Sequence, residues 1–335
     1  MPDLGKIDRE FFDSVIYPNL GAERDDVVVG PKHGVDFGVL DVDGTAVVTA
    51  TDPISILPQL GFERAGRFAL DVVLADVAVS GVPPSHLSMS LTLPPEMTDE
   101  ELAEMWVGIS DHARELGVSI VSGHTARYAG VDYSWVGGAT VLGVGDSEDV
   151  VRPDGATAGD SIVVTTGPGA EVAALFTVLF PERLDLAEST LETARGRLEE
   201  FGVVRDTMTA VDTGTVTAMH DATEGGLIGA LTEMARGADV RFDVDAEAVP
   251  EAPGVVPVTD AIDVDPWEVT STGTLVITVQ AEDAESVVNA LQRRGTRAAV
   301  VGAVSSGDGV FVDGAQRHAP ASDPAWNALD RLSEQ

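Results

Sequence analysis

The chain has 335 residues, 44% of them hydrophobic, and its 56 acidic against 20 basic residues give a formal net charge of −36. A mean hydropathy of +0.12 with that charge describes a folded chain carrying its acids on the surface rather than a disordered one. Cysteine is absent, which removes disulfides, thiolate metal sites and cysteine nucleophiles from these residues, and the negative field disfavours nucleic acid and anionic membranes as ligands.

The length exceeds one ordinary hydrophobic core, so two domains of roughly 150 residues are expected. Lys6 and Lys32 are the lysines, all other bases are arginine, and the acids are spread along the chain. This balance reads as a halophilic surface adapted to a salt-rich cytoplasm. Met1 to Phe12 has no apolar leader core, and no run of about 18 apolar residues follows, so the expected location is cytoplasmic.

In chain order, Val27–Val29, Phe37–Leu40 and Ala46–Thr49 around the Asp43-Gly44 turn read as two or three strands. Arg64–Ser80 carries Phe68, Val72, Ala75 and Val79 at helical spacing and stops at Gly81 before Pro83-Pro84, which predicts a largely buried helix. Ser88–Leu93 alternates as a strand. Thr98 caps a helix with Leu102, Met105, Trp106, Ile109 and Ala113 on one stripe, ending at Gly117. Val118–Val121 and Val136–Val144 are strands. The turn-rich stretch between Arg152 and Asp160 marks the boundary between domains 1–150 and 155–335. The second half reads as strand Ser161–Thr166, the turn Gly167-Pro168-Gly169, helices through about Phe201 and again to Val211, strand Val216–Met219 and helix Glu224–Arg236. Strand Thr274–Val279, helix Glu282–Arg294 and strand Ala298–Val301 follow. The expected class is α/β or α+β.

Asp36, Asp52, Asp76 and Asp221 lie at strand ends or in polar breaks of apolar stretches, with Asp71 a fifth near Asp76. Carboxylates gathered together need a hard cation, and Mg²⁺ with waters and substrate phosphates is the usual one. Any one of them can equally be a cap, a turn former or a surface acid; Asp76, inside a buried helix, is the exception. Ser122-Gly123-His124-Thr125, Thr166-Gly167-Pro168-Gly169 and Asp221-Ala222-Thr223-Glu224-Gly225-Gly226 offer backbone amides that suit an anion, and none fits a Walker or dinucleotide-binding pattern.

Taken in order, these segments resemble the aminoimidazole ribonucleotide synthetase-like superfamily, in its hydrogenase-maturation branch. The segments are Gly34-Val35-Asp36-Phe37-Gly38-Val39, Thr51-Asp52-Pro53, Ala75-Asp76-Val77-Ala78-Val79-Ser80-Gly81, Gly123-His124-Thr125, Asp221–Leu227 and Ser271-Thr272-Gly273-Thr274-Leu275. The resemblance implies a two-domain fold whose N-terminal domains share a dimeric β-barrel, with ATP in the cleft between the domains. It further implies Mg²⁺ on Asp36, Asp52, Asp76 and Asp221, with Asp36 and Asp221 orienting the phosphates, and nucleotide contacts from Gly123, His124, Thr125, Thr223, Gly225 and Gly226. Lys32, His33 and Gly34 precede the first acidic motif and stand as phosphate contacts. The implied chemistry moves the phosphoryl group of ATP to an oxygen of a small-molecule acceptor in a homodimer. Departures are Val35, Phe37 and Ala75, where the family has acidic, small and Asn/Ser residues, and the absence of the C-terminal cysteine that carries the acceptor in the dehydratases, the chain ending Leu332-Ser333-Glu334-Gln335. Carbamoyl dehydration is therefore not expected here, and a nucleotide-binding regulatory or scaffold homodimer stands as the alternative.

Overall fold

The computed structural model describes Ile7 and residues 9–334. Its contacts divide into two compact units. One comprises Glu23–Pro31 and Asp36–Val150; the other takes Val151 onward together with Lys32–Val35 and the described residues up to Ala22, which open on one helical turn, α1 (Arg9–Phe11).

The first unit is a six-stranded sheet covered by two helices. Its strands β1 (Val27–Val29), β2 (Gly38–Val42), β3 (Thr45–Ser55), β4 (Pro84–Leu93), β5 (Ser119–Arg127) and β6 (Trp135–Asp146) lie in the order β1-β2-β3-β6-β4-β5. All neighbours are antiparallel except β4 and β5, which run parallel because helix α3 (Asp99–Leu116) carries the chain across. Thr98 starts α3 with a full capping box: its hydroxyl accepts from the Glu101 amide at 3.2 Å while Glu101 accepts from the Thr98 amide at 2.8 Å. Helix α2 (Phe62–Ala78) crosses α3 at very short range, since a Cβ built on Gly108 would lie 2.0 Å from the Glu63 carbonyl oxygen. Among the described residues neither sheet closes on itself, so any barrel requires strands from a second copy.

The second unit is a seven-stranded sheet, β13-β12-β9-β11-β7-β10-β8. The strands are β7 (Ser161–Thr165), β8 (Val216–Asp221), β9 (Arg241–Val244), β10 (Leu275–Val279), β11 (Ala298–Ser305), β12 (Gly309–Val312) and β13 (Ala315–Arg317). Between them run α4 (Ala170–Leu179), α5 (Glu188–Arg195), α6 (Val203–Thr213), α7 (Gly226–Gly237), α8 (Val255–Ala261), α9 (Ala284–Arg293) and α10 (Pro324–Ser333). Two apolar cores hold it together. One gathers Leu227, Ile228 and Leu231 of α7 with Ile162, Val164, Val276 and Phe242 of the sheet; the other gathers residues of α4, α5, α8 and α10.

Two expectations shift. Asp52 and Pro53 do not end a strand, because β3 continues to Ser55. Helix α7 begins at Gly226, since Gly225 has a left-handed φ of +82° and the preceding residues form a turn. Helix α8 was hidden in Val255-Val256-Pro257-Val258, a β-branched run that sequence propensity reads as extended; Pro257 falls in the first helical turn, where its missing N–H costs nothing.

Candidate functional site

In the second unit β7 and β8 end, and β10 and β11 begin, at the same edge of the sheet: Leu275 pairs with Asp221, and Ala298 with Thr165. The glycine turn after β7 leads into α4, and the turn after β8 leads into α7. Ser271–Leu275 ties them together. The Ser271 amide donates to the Ala222 carbonyl at 2.9 Å and the Ala222 amide donates to the Thr274 carbonyl at 2.9 Å. The Ser271 hydroxyl accepts from the Gly169 amide at 2.6 Å, and the Thr274 hydroxyl donates to the Gly167 carbonyl at 2.8 Å. All five residues of this segment are buried, and Phe201 lies directly on Gly273. The motif thus acts as an internal brace for two strand-end turns rather than as an exposed ligand loop.

Asp221, the last residue of β8, is 2% exposed. His220 beside it is also buried and is held at both ring nitrogens. Nδ1 lies 2.7 Å from the Asp221 backbone carbonyl, which only accepts, so this nitrogen carries a proton; Nε2 faces the Glu233 carboxyl at 2.9 Å. Glu233 projects from α7, and a Cβ built on Gly34 would lie 3.2 Å from its Cβ. The Lys32–Val35 turn, closed by the Val35 amide donating to the Lys32 carbonyl at 3.2 Å, therefore packs on the same helix that supports Asp221.

Lys32 and His33 both have partners within this unit. Lys32 pairs with Asp154 at 3.2 Å, and Arg152 grips the same carboxylate with two bonds of 2.8 Å. Arg152, with Lys32 assisting, holds the Asp154 carboxyl at about 2. His33 Nε2 is 3.0 Å from Asp13, and its ring is tilted against Phe12. Thr223 is half-buried, and its carbonyl accepts from the Gly226 amide at 2.9 Å. The Gly225 amide donates to the buried Asp323 carboxylate at 3.1 Å. The amides of both glycines are thus used inside the protein.

Among residues that sequence reasoning missed, Asp323 and Glu171 are the most informative. Glu171 accepts from the Thr270 hydroxyl at 2.9 Å and from the Thr272 amide at 2.8 Å, and burial pushes its carboxyl up. Burial likewise raises the Asp323 carboxyl against three backbone N–H donors. Ser322-Asp323-Pro324 was legible as a helix start; the reach of its carboxylate to turns far away in sequence was not.

In the first unit Asp36, Asp52 and Asp76 are all half-buried. Asp36 directly precedes the core residue Phe37. Asp52 lies on the face of β3 that carries the buried Ala50 and Ile54, and pairs across to Ala139 of β6. Asp76 sits in α2 between Ala75 and Val77, both buried. Asp71 has a structural role: it holds the buried His112 of α3 at 2.6 Å, helping to join the two helices. Gly123, His124 and Thr125 lie on the edge strand β5 and are exposed. A Cβ on Gly123 would meet the Met89 carbonyl oxygen at 2.7 Å, so strand pairing itself requires glycine there. His124 Nε2 is 3.0 Å from the Tyr128 hydroxyl.

A two-unit α/β fold, each unit a mixed sheet with helices, and acids drawn into regular elements define the class of protein. Residues 34–144 match the N-terminal domain, and residues 157–314 the C-terminal domain, of the family described as AIR synthase related protein. The chain belongs to that family. It is similar to a Methanocaldococcus jannaschii protein named as a hydrogenase expression/formation protein, at 26% identity over 92% of this chain and 91% of that one. It is also similar to the selenide, water dikinase of a Geobacter species, at 30% identity over 74% of this chain and 70% of that one. The structure of AaThiL complexed with AMPPCP and TMP has the same fold, with a TM-score of 0.75 over 96% of this chain and 99% of that one at 19% identity. No helix among the described residues is long and apolar enough to cross a membrane.

Proposed function

We propose that this protein is an ATP-dependent, Mg²⁺-requiring phosphotransferase that activates an oxygen of a small-molecule acceptor. The observation carrying this reading is that, in a chain whose acids mostly face solvent, Asp52, Asp76 and Asp221 are withdrawn onto a strand, a helix and a strand end. Asp36, Asp52, Asp76 and Asp221 each offer only oxygen donors, and such donors suit a hard cation that keeps waters and phosphate oxygens in its shell. Mg²⁺ held there would neutralise phosphate charge. The residues' own work is orientation: Asp36 and Asp221 direct the phosphates, while Gly34, Gly123, His124, Thr125, Thr223, Gly225 and Gly226 border the nucleotide. Lys32 adds positive charge and His33 a ring nitrogen. The relative named as a dikinase and the fold-mate complexed with AMPPCP agree with a nucleotide ligand.

The regulatory or scaffold alternative leaned on Val35, Phe37 and Ala75. Phe37 is 3% and Ala75 1% exposed, so both are packing residues whose change leaves the neighbouring carboxylates in the chain. That favours retained turnover. The β5 edge supports a homodimer completing a shared barrel: nearly every residue of the strand is exposed, Val121 at 56% among them, and an exposed edge of 9 residues is a template for a partner strand. The acidic surface supports a salt-rich cytoplasm as the working environment.

Calorimetric titration of ATP into the full chain at molar KCl, with and without Mg²⁺, tests the proposal. Wild type is expected to bind only with Mg²⁺, and folded Asp76→Ala to lose at least tenfold in affinity. A folded wild type that ignores MgATP overturns the phosphotransfer reading.

A further inference from the structure

The geometry points to Asp323, which follows the family-matched region, as a positioning residue that sets the Asp221–Gly226 turn and thereby the nucleotide site proposed above. The inference rests on that reading for its functional consequence and on hydrogen bonds for its structural part.

Asp323 caps helix α10, its Oδ1 accepting from the Ala325 amide at 2.8 Å. A serine, threonine or asparagine could do that much. The other oxygen does something a cap does not require: Oδ2 accepts from the Gly225 amide at 3.1 Å and from the Thr270 amide at 2.8 Å. One carboxylate thus joins three segments widely separated in sequence. Serine is too short to cap the helix and reach both other amides. Asparagine has one acceptor oxygen, and its amide NH₂ would face N–H donors. A carboxylate is the side chain that fits all three.

The joined segments are the ones that carry Asp221. The 222–226 turn is pinned at its start by Ser271 and Thr274 through Ala222, and at its end by Asp323 through Gly225. Thr270, the second amide on Oδ2, directly precedes Ser271 and donates its hydroxyl to the buried Glu171. The anchor is firm because α10 is docked. Ala328 is fully buried, Ala325, Leu329 and Leu332 pack on the α4, α5 and α8 core, and Arg331 donates to the Ile262 carbonyl at 2.6 Å. The Gly225 amide, which a glycine-rich turn would offer to a phosphate, is already occupied by an internal carboxylate.

Asp323→Ser is the test variant, since its hydroxyl retains a helix cap and removes the bridge; Asp323→Asn is the second, and Val287→Ala is a stability control in the fully buried face of α9, which packs on α6, β7 and β11. Amide hydrogen exchange of the 222–227 region and the MgATP Kd are measured on full chains at molar KCl. Both Asp323 variants are expected to speed Gly225 exchange at least tenfold and to weaken MgATP about tenfold. Val287→Ala should lower the melting temperature while leaving Kd within twofold. Unchanged Gly225 exchange in a folded Asp323 variant overturns the contact. Faster exchange with unchanged Kd, or an equal loss of affinity in Val287→Ala, overturns the positioning role. If wild type itself fails to bind MgATP, the phosphotransfer reading and this functional role fall together, while the exchange comparison still decides whether Asp323 holds the turn.

Discussion

Replacing Gly273 by alanine tests how closely the Ser271–Leu275 brace is packed, and two separate costs can be worked from the structure. A Cβ there would lie 2.4 Å from Phe201 Cδ1 and 3.2 Å from Cε1. Carbon atoms in good contact sit at about 3.5–4.0 Å, so the ring must retreat by about 1 Å in a region with no spare volume, an overpacking cost of about 1–3 kcal/mol. The backbone φ of +95° adds a second penalty of about 1–2 kcal/mol for any residue with a Cβ. Gly273→Ala should therefore cost about 2–5 kcal/mol. Truncating Phe201 to alanine removes the steric part and leaves the backbone part. In the Phe201→Ala background the same substitution should cost only about 1–2 kcal/mol, giving a coupling of about 1–3 kcal/mol in a double-mutant cycle. Urea unfolding followed by circular dichroism at molar KCl measures all four corners. Costs that add to within about 0.5 kcal/mol would refute the contact, and with it the account of this segment as a packed brace.

Thr98→Ala should lower stability by about 1 kcal/mol through loss of the capping box, with Glu101→Gln nearly neutral because glutamine can return the same bond, as read from melting temperatures. The pH dependence has two limbs. Asp154, held from 3.8 down to about 2, gives stability that is present above its unfolded value and lost as pH falls toward 2, so Asp154→Asn should flatten the acid limb between about pH 4 and 2. Glu171 is raised above its unfolded value of 4.5, so the folded state holds the proton longer and stability declines as pH rises through that window. Glu171→Gln should therefore lose less stability than wild type as pH rises above 4.5, and a steeper loss in the variant would contradict the assignment.

The fold was legible wherever one face of a segment is buried and the other is not. The Thr98 helix announces itself by its cap, its stripe and its Gly117 stop. Strands β3 and β6 of the first unit alternate visibly because one of their faces is buried. The segments that escaped notice lack such a contrast. Strand β9 has four residues, α8 begins with a β-branched run, and α10 carries a single fully buried residue, Ala328. Strand β10 is buried at every position, so its sequence shows an apolar run and no period.

The site was legible in a different way, and the difference bears on how motif residues should be weighed. Order along the chain selected Asp221–Leu227 and Ser271–Leu275 together with segments of the first unit, and the structure joins these two at one end of the second sheet. What spacing could not assign is the direction in which each polar group is spent. Gly225 and Gly226 read as free donors, yet one amide goes to Asp323 and the other to Thr223. Lys32 reads as a phosphate contact, yet an anionic ligand would have to compete with Asp154, itself held low by Arg152. Such competition raises the charge density a ligand needs, and a Mg²⁺-bound polyphosphate meets that need better than a neutral metabolite. A buried carboxylate such as Asp323, invisible to motif reading, then decides which donors the motif has left to give.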